Sequence, residues 1–163
     1  MMRARLNHVL VMMSFALAFF PAEDLSLRQA QGEPTIRLEG MVEFLRPDGS
    51  VAASLAVEIA ETPETRSQGL MRRMLGDYMT GMLFLFETAH PQTFWMRNTP
   101  TSLDIIFVDD RSQVLNIAPH TTPMSDQLYS SAGPAKFVVE AKAGFAERFG
   151  IRPGHSMRWK RLR

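Results

Sequence analysis

Three consecutive stretches decide the fold: Thr35-Ile-Arg-Leu-Glu-Gly-Met-Val-Glu-Phe44, then Pro47-Asp-Gly-Ser50, then Val51-Ala-Ala-Ser-Leu-Ala-Val-Glu-Ile59. In the first, Ile36, Leu38, Val42 and Phe44 alternate with Arg37, Glu39, Met41 and Glu43. A period of two places one set on an apolar face and the other in water, which is the pattern of a half-buried strand. The middle stretch is a turn, because Pro presets φ and Gly supplies a positive φ. The third again alternates, with Val51, Ala53, Leu55, Val57 and Ile59 sharing a face. Together they predict a β-hairpin and a mainly β domain.

Working outward, Thr62-Pro63-Glu64 predicts a helix start, with a hydroxyl cap, proline at the first helical position and an acid in the first turn. Gly69 ends that helix after Gln68. Gly81 to Phe86 is an uninterrupted apolar run, as in a central strand covered on both sides. Further strands are predicted at Thr93 to Arg97, Leu103 to Asp109, Gln113 to Ile117, Lys136 to Ala141 and His155 to Lys160. Residues 119–134, which carry Pro119, Pro123, Gly133 and Pro134, predict a long loop. Gly144 to Phe149 predicts a second short helix, stopped by Gly150 and Pro153. The expectation is an α+β, mainly β domain over residues 35–163: a small antiparallel, partly closed barrel or sandwich of about eight short strands and two short helices.

At the amino terminus, Arg3 and Arg5 precede an uncharged apolar stretch from Val9 to Phe20. A bilayer needs about 20 apolar residues, so this run is too short for a span and suits the core of a secretory signal over residues 1–22. An uncleaved amino-terminal anchor is the alternative. Residues 23–34 are polar and aperiodic and predict a flexible lead-in. The expected location is the periplasm or the exterior, with no membrane span after signal cleavage. The chain contains no cysteine, which removes disulfides, zinc–thiolate sites, iron–sulfur clusters, cysteine nucleophiles and a lipidated amino terminus. Without Arg3 and Arg5, 16 of the 18 basic residues face 17 acidic ones, a net charge of −1. A nearly neutral domain lacks the electrostatic footprint of a nucleic-acid or anionic-membrane binder.

Several ordered blocks now stand out. They are Arg66-Ser-Gln-Gly-Leu-Met-Arg-Arg73, Gly81-Met-Leu-Phe84, Phe94-Trp-Met-Arg-Asn-Thr99 and Leu103-Asp-Ile-Ile-Phe-Val-Asp109, then Val139-Glu140 leading to Gly144, and Gly150 to Gly154. In their order and spacing, from about Leu55 to Trp159, they resemble the domain of unknown function 192 family. The resemblance implies a small, mainly β, commonly exported domain and implies no reaction. Pro100-Thr101-Ser102 departs from the family's tendency toward an apolar residue and proline before Leu103.

Among candidate sites, Trp95, Arg97, Asn98 and Thr99 combine a stacking surface, a charge and an amide that both donates and accepts, a composition suited to a ligand edge. The plain alternative is a core strand whose Asn98 fixes a turn. Asp104 shares a strand face with Ile106 and Val108, and Glu140 follows Phe137-Val138-Val139. Acids in such surroundings need partners, for which Arg66, Arg73 and Arg97 are the candidates. Structural salt bridges fastening the Arg66–Arg73 segment to the sheet are one reading, and an acid/base pair of Asp104 with Glu140 is the sharper one.

No nucleophile elbow, phosphate loop or His-Glu-x-x-His motif is present. Ser130, Ser131 and His120 read as ordinary loop residues. No catalytic residue and no cofactor is assigned. Met71, Met74, Met79, Met82 and Met96, with His90, offer soft ligands that suit Cu(I), although methionines more often fill cores.

The sequence therefore favours a binding module over an enzyme. It would hold a small-molecule or cell-envelope ligand in a cleft between the Trp95–Thr99 edge and the Arg66–Arg73 segment, with an envelope-directed hydrolase or lyase using Asp104 and Glu140, and a Cu(I) protein, as alternatives.

Overall fold

The sheet is continuous and has seven strands, in the order β5-β4-β6-β3-β2-β1-β7. These are β1 (Gly40–Leu45), β2 (Val51–Ala60), β3 (Thr80–Phe94), β4 (Leu103–Val108), β5 (Val114–Ala118), β6 (Tyr129–Lys142) and β7 (Ser156–Arg161), with helices α1 (Pro63–Gln68) and α2 (Phe145–Phe149). The computed structural model describes residues 36–162; the signal or anchor expected over residues 1–22 and the lead-in expected over residues 23–34 lie outside them. Among the described residues no helix is long and apolar enough to cross a membrane.

The hairpin forms as its alternation requires, with Val42 opposite Leu55 and Phe44 opposite Ala53, and Gly49 turns the chain at φ 81°. Helix α1 starts at its expected cap, where the Thr62 hydroxyl accepts from the backbone N–H of Thr65 at 3.2 Å. It ends at Gly69. Its crossover makes β2 and β3 the one parallel pair in an otherwise antiparallel sheet.

Among the described residues there are seven strands, one fewer than the roughly eight expected. The apolar run at 81–86 and the segment at 93–94 belong to a single strand that crosses Pro91. Proline removes a ladder donor, and β3 accommodates it where its register against β6 is irregular, between Leu85 and His90 and again between Pro91 and Thr93. The strand expected through Arg97 ends at Phe94. For the same reason the loop expected to reach residue 134 is shorter: β6 begins at Tyr129, and its Pro134 lies opposite Pro91.

The sheet curls into a half-barrel. At one end the outer strands meet, through a bridge between Gln113 and Ser156 and backbone hydrogen bonds from Val114 to His155 and from Gly154 to Val114, each 2.9 Å. Alternation then yields two cores. One draws on all seven strands and takes in Phe145 and Ala146 of α2, so it fills the inside of the curl. The other covers the opposite face of β3, β4 and β6 with Leu70, Leu75 and Met96 from the connecting segments. The candidate site lies on this second face.

Candidate functional site

Residues 58, 82, 105, 138 and 140 project toward the second core, because side chains alternate along a strand and their neighbours Ala60, Phe84, Leu103 and Phe107 all belong to it. The segment after α1 packs over this face. Arg73, only 6% exposed, anchors it. Its Nη1 donates to Oε2 of Glu58 at 2.7 Å and its Nη2 to the Gly69 carbonyl at 2.6 Å. Glu58 also receives the backbone N–H of Arg37. An arginine does fasten this segment to the sheet, but its acid is Glu58 and not the Asp104 or Glu140 expected from the sequence. Glu58 escaped the sequence reading because alternation assigns it to the polar face of β2. The small side chains of Ala52, Ser54 and Ala56 on that face are the signal that part of it is covered.

Beside this pair stands Glu140, 5% exposed and opposite both Met82 and Ile105 in the sheet. Among the described residues its Oε2 has no hydrogen-bonding partner, and neither has Nε of Arg73. Burial pushes the Glu140 carboxyl up to about 8, against the opposing pull of the Arg73 guanidinium. The carboxyl is therefore mainly protonated at neutral pH.

Glu140 lines a recess of about 40 Å³. One wall is Arg66, Ser67, Gln68, Gly69, Leu70 and Met71; the other is Phe84, Phe94, Trp95 and Thr99. The two walls are joined by the N–H of Arg72, which donates to the Asn98 carbonyl at 2.7 Å. Both residues hold a left-handed backbone, at φ 60° and 56°. Phe84 and Phe94 meet edge to face at 4.9 Å, and Trp95 is 43% exposed at the mouth. The Thr99 hydroxyl donates to the Arg97 carbonyl, leaving its lone pairs as acceptors.

Of the residues singled out in the sequence, Arg66, Trp95, Thr99 and Glu140 come together at this recess. Arg73 lies close enough to act electrostatically on Glu140. Arg97 stacks on Trp95, at 4.2 Å from the ring centre, and pairs with Asp126 at 2.7 Å, so it stiffens the rim. Asn98 is exposed and makes the turn. The Arg66 guanidinium is engaged by the carbonyls of Glu61 and Leu85 and lies over Phe86. Leu70, Ser67, Gln68 and Phe84 were not singled out individually, though all lie within the ordered blocks.

Asp104 is placed elsewhere. Its parity with Ile106 and Val108 turns it into the first core, on the opposite side of the sheet from Glu140. Three backbone N–H groups satisfy it: those of His120 (2.9 Å) and Gly144 (3.2 Å) at Oδ1, and that of Ala146 (2.8 Å) at Oδ2. It fixes the start of α2 and has no arginine partner among these bonds, contrary to the sequence expectation. With the sheet between them, Asp104 and Glu140 cannot act together on one bond, which removes the acid/base pair.

The methionines do not gather either. Met82 and Met96 are buried in the second core, Met71 lines the recess, and Met74 and Met79 are more than half exposed. The His90 ring is hydrogen-bonded to Thr88. Sulfurs divided in this way offer no single Cu(I) site.

A wider groove of about 300 Å³ lies along Met41, Glu43, Arg158, Trp159 and Lys160. The charges of Glu43 and Arg158 there are paired with each other.

The sequence profile of the domain of unknown function 192 family, described as an uncharacterized ACR, matches residues 44–159. The chain belongs to that family. Two solved structures agree with it. A protein from Sinorhizobium meliloti 1021, provisionally described as a transcription regulator, is 32% identical, with a TM-score of 0.71 over 78% of this chain and 98% of that one. A protein of unknown function from Novosphingobium aromaticivorans DSM 12444 is 37% identical, with a TM-score of 0.69 over 73% of this chain and 84% of that one. No curated protein matches. The DUF192 domain therefore comes with a fold and without an assigned reaction.

Proposed function

We propose that this protein is an exported binding module that takes the polar end of a small or extended ligand into the recess between residues 66–71 and 94–99. One observation carries the reading: Glu140 lines the recess, is 95% buried, and has an oxygen without a partner among the described residues. A buried polar atom without a partner costs about 1–3 kcal/mol, and a ligand group that supplies the hydrogen bond recovers that cost. A water-sized group needs about 10–15 Å³, so about 40 Å³ admits roughly three heavy atoms. The recess is sized for the tip of a ligand whose remainder lies across Trp95 and the exposed side chains of Ser67 and Gln68.

Export is supported by the basic, then apolar, pattern of residues 1–22. A cell-envelope ligand is consistent with that location. The regulator description belongs to the Sinorhizobium protein; a mature net charge of −1 gives this chain no comparable argument for nucleic acid.

Native mass spectrometry of the protein recovered from the periplasm tests the reading. A mass excess that is lost on denaturation, and is absent from a folded protein carrying Trp95→Ala and Glu140→Gln, is the expected result. A bare mass for the wild type, together with no response of the recess resonances to any small polar probe, would overturn it.

A further inference from the structure

We infer that the group received by the recess is a primary ammonium, held between the Glu140 carboxylate and the aromatic wall of Phe84, Phe94 and Trp95. This inference rests on the recess being the binding site. Three features of its lining point to a cation. The group at 95% burial lining the recess is an acid whose Oε2 has no donor among the described residues, and a donor on the ligand would satisfy it. The surrounding wall is aromatic, and aromatic faces attract cations. Thr99, whose proton is engaged by the Arg97 carbonyl, presents only acceptor capacity, and the Ser67 hydroxyl and Gln68 amide add acceptors at the rim. An ammonium has three donors and no acceptor, and this lining suits it.

Size narrows the class. Room for roughly three heavy atoms accepts a nitrogen with one or two methylenes and excludes a trimethylammonium head. An anion has fewer partners here, since the Arg73 charge is already paired with Glu58 and Nη1 of Arg66 is held by the Glu61 and Leu85 carbonyls. The charged groups on the Glu140 side of the sheet are Glu58 with its partners Arg37 and Arg73, Arg66 at the wall, and Lys142, whose ammonium donates to the Gly76 carbonyl. Arg73 is the one whose charge acts on Glu140.

A proton has to move for this to work. Empty, Glu140 holds its proton up to about pH 8. When an ammonium enters, the carboxyl releases that proton to solvent and the charge-assisted pair forms. The ionised fraction rises about tenfold per pH unit below that value, so ammonium affinity rises about tenfold per pH unit and levels off above it. A neutral hydroxyl tip would bind the protonated carboxyl with no such slope.

The test is an NMR shift titration of the folded protein with ethylammonium chloride at pH 6, 7 and 8, beside ethanol and tetramethylammonium chloride. Expected are shifts at Leu70, Thr99 and Glu140, an affinity for ethylammonium that rises about tenfold from pH 6 to 7 and about fivefold from pH 7 to 8, and no comparable response to tetramethylammonium. Glu140→Gln, isosteric and neutral, is expected to retain the spectrum of the fold and lose the slope. Ethanol binding at least as well as ethylammonium, with no pH slope, would overturn the ammonium reading and leave the recess as a site for a neutral tip. No response to any probe would overturn it as well, and a mass excess in the native protein would then show whether the recess itself fails as a site. Ethylenediamine and a lysine-containing tripeptide as second-round probes separate a free amine from a peptide source.

Discussion

Replacing Glu140 by glutamine should make the protein more stable, and increasingly so as the pH rises. In the native state the carboxyl titrates at about 8, against 4.5 for the unreacted group, so between those values the folded protein holds a proton that the unfolded chain has released. Stability then falls with rising pH, because the folded state binds more protons. The contribution is fully present below about pH 4.5 and is lost as the pH climbs to about 8. At about 1.4 kcal/mol per pH unit, the whole interval is worth about 5 kcal/mol, of which about 3 kcal/mol is lost by neutrality. That is a large part of the 5–15 kcal/mol typical of a domain. Glutamine has the same shape and no proton to lose. Urea unfolding of both proteins from about pH 5 to about pH 8 isolates the effect, since every other titrating group cancels in the difference. With a slope of about 1.5 kcal/mol per molar urea, the gap between the two midpoints should widen by about 1 M per pH unit. A gap that stays constant across the range would mean that Glu140 ionises normally in the native protein, and the argument from its burial would fail.

Asp104→Ala leaves three backbone N–H groups on the opposite face without their acceptor, and a loss of about 3–5 kcal/mol in urea unfolding is expected, with the recess resonances unchanged. Arg73→Met leaves buried Glu58 with only the exposed Arg37 as its counter-charge and should cost about 3 kcal/mol, while the double variant with Glu58→Leu regains most of it. Gly81→Ala places a Cβ against the backbone carbonyl of Glu140 on the neighbouring strand, and thermal unfolding should show a loss of more than about 2 kcal/mol. Arg97→Ala removes an exposed ion pair and a stacked cation; it should change stability by about 1 kcal/mol or less while altering the emission of Trp95 in a Trp159→Phe background.

The hairpin, α1 with its cap, and α2 with its glycine stop were legible because each is specified by neighbours in sequence: alternation for Val42 and Leu55, the hydroxyl of Thr62, the left-handed Gly150. What was hidden depends on partners far away. Pro91 and Pro134 look like breakers until the irregular β3–β6 pairing sets them opposite each other. The parallel β2–β3 pair has no local signature. At the site, the blocks forming both walls were visible, and Glu140 stood out as an acid among apolar residues. Its side of the sheet did not. A single residue of register separates Ile105, opposite Glu140, from Asp104, and that step puts the two acids on opposite faces. Glu58 was missed because its cover arrives from Arg73, fifteen positions later.

The sheet order also governs when the protein can finish folding. The last strand, β7, lies against the first, with Gly40 opposite Arg161, and its beginning joins Gln113 to close the curl. A growing chain can make the hairpin early, but β1 keeps an open edge and Phe44 lacks Met157 opposite it until the final strand has been synthesised. Contacts between such distant residues form slowly, since the closing of the long intervening loop opposes them. This order of assembly withholds the completed sheet until β7 itself has been made.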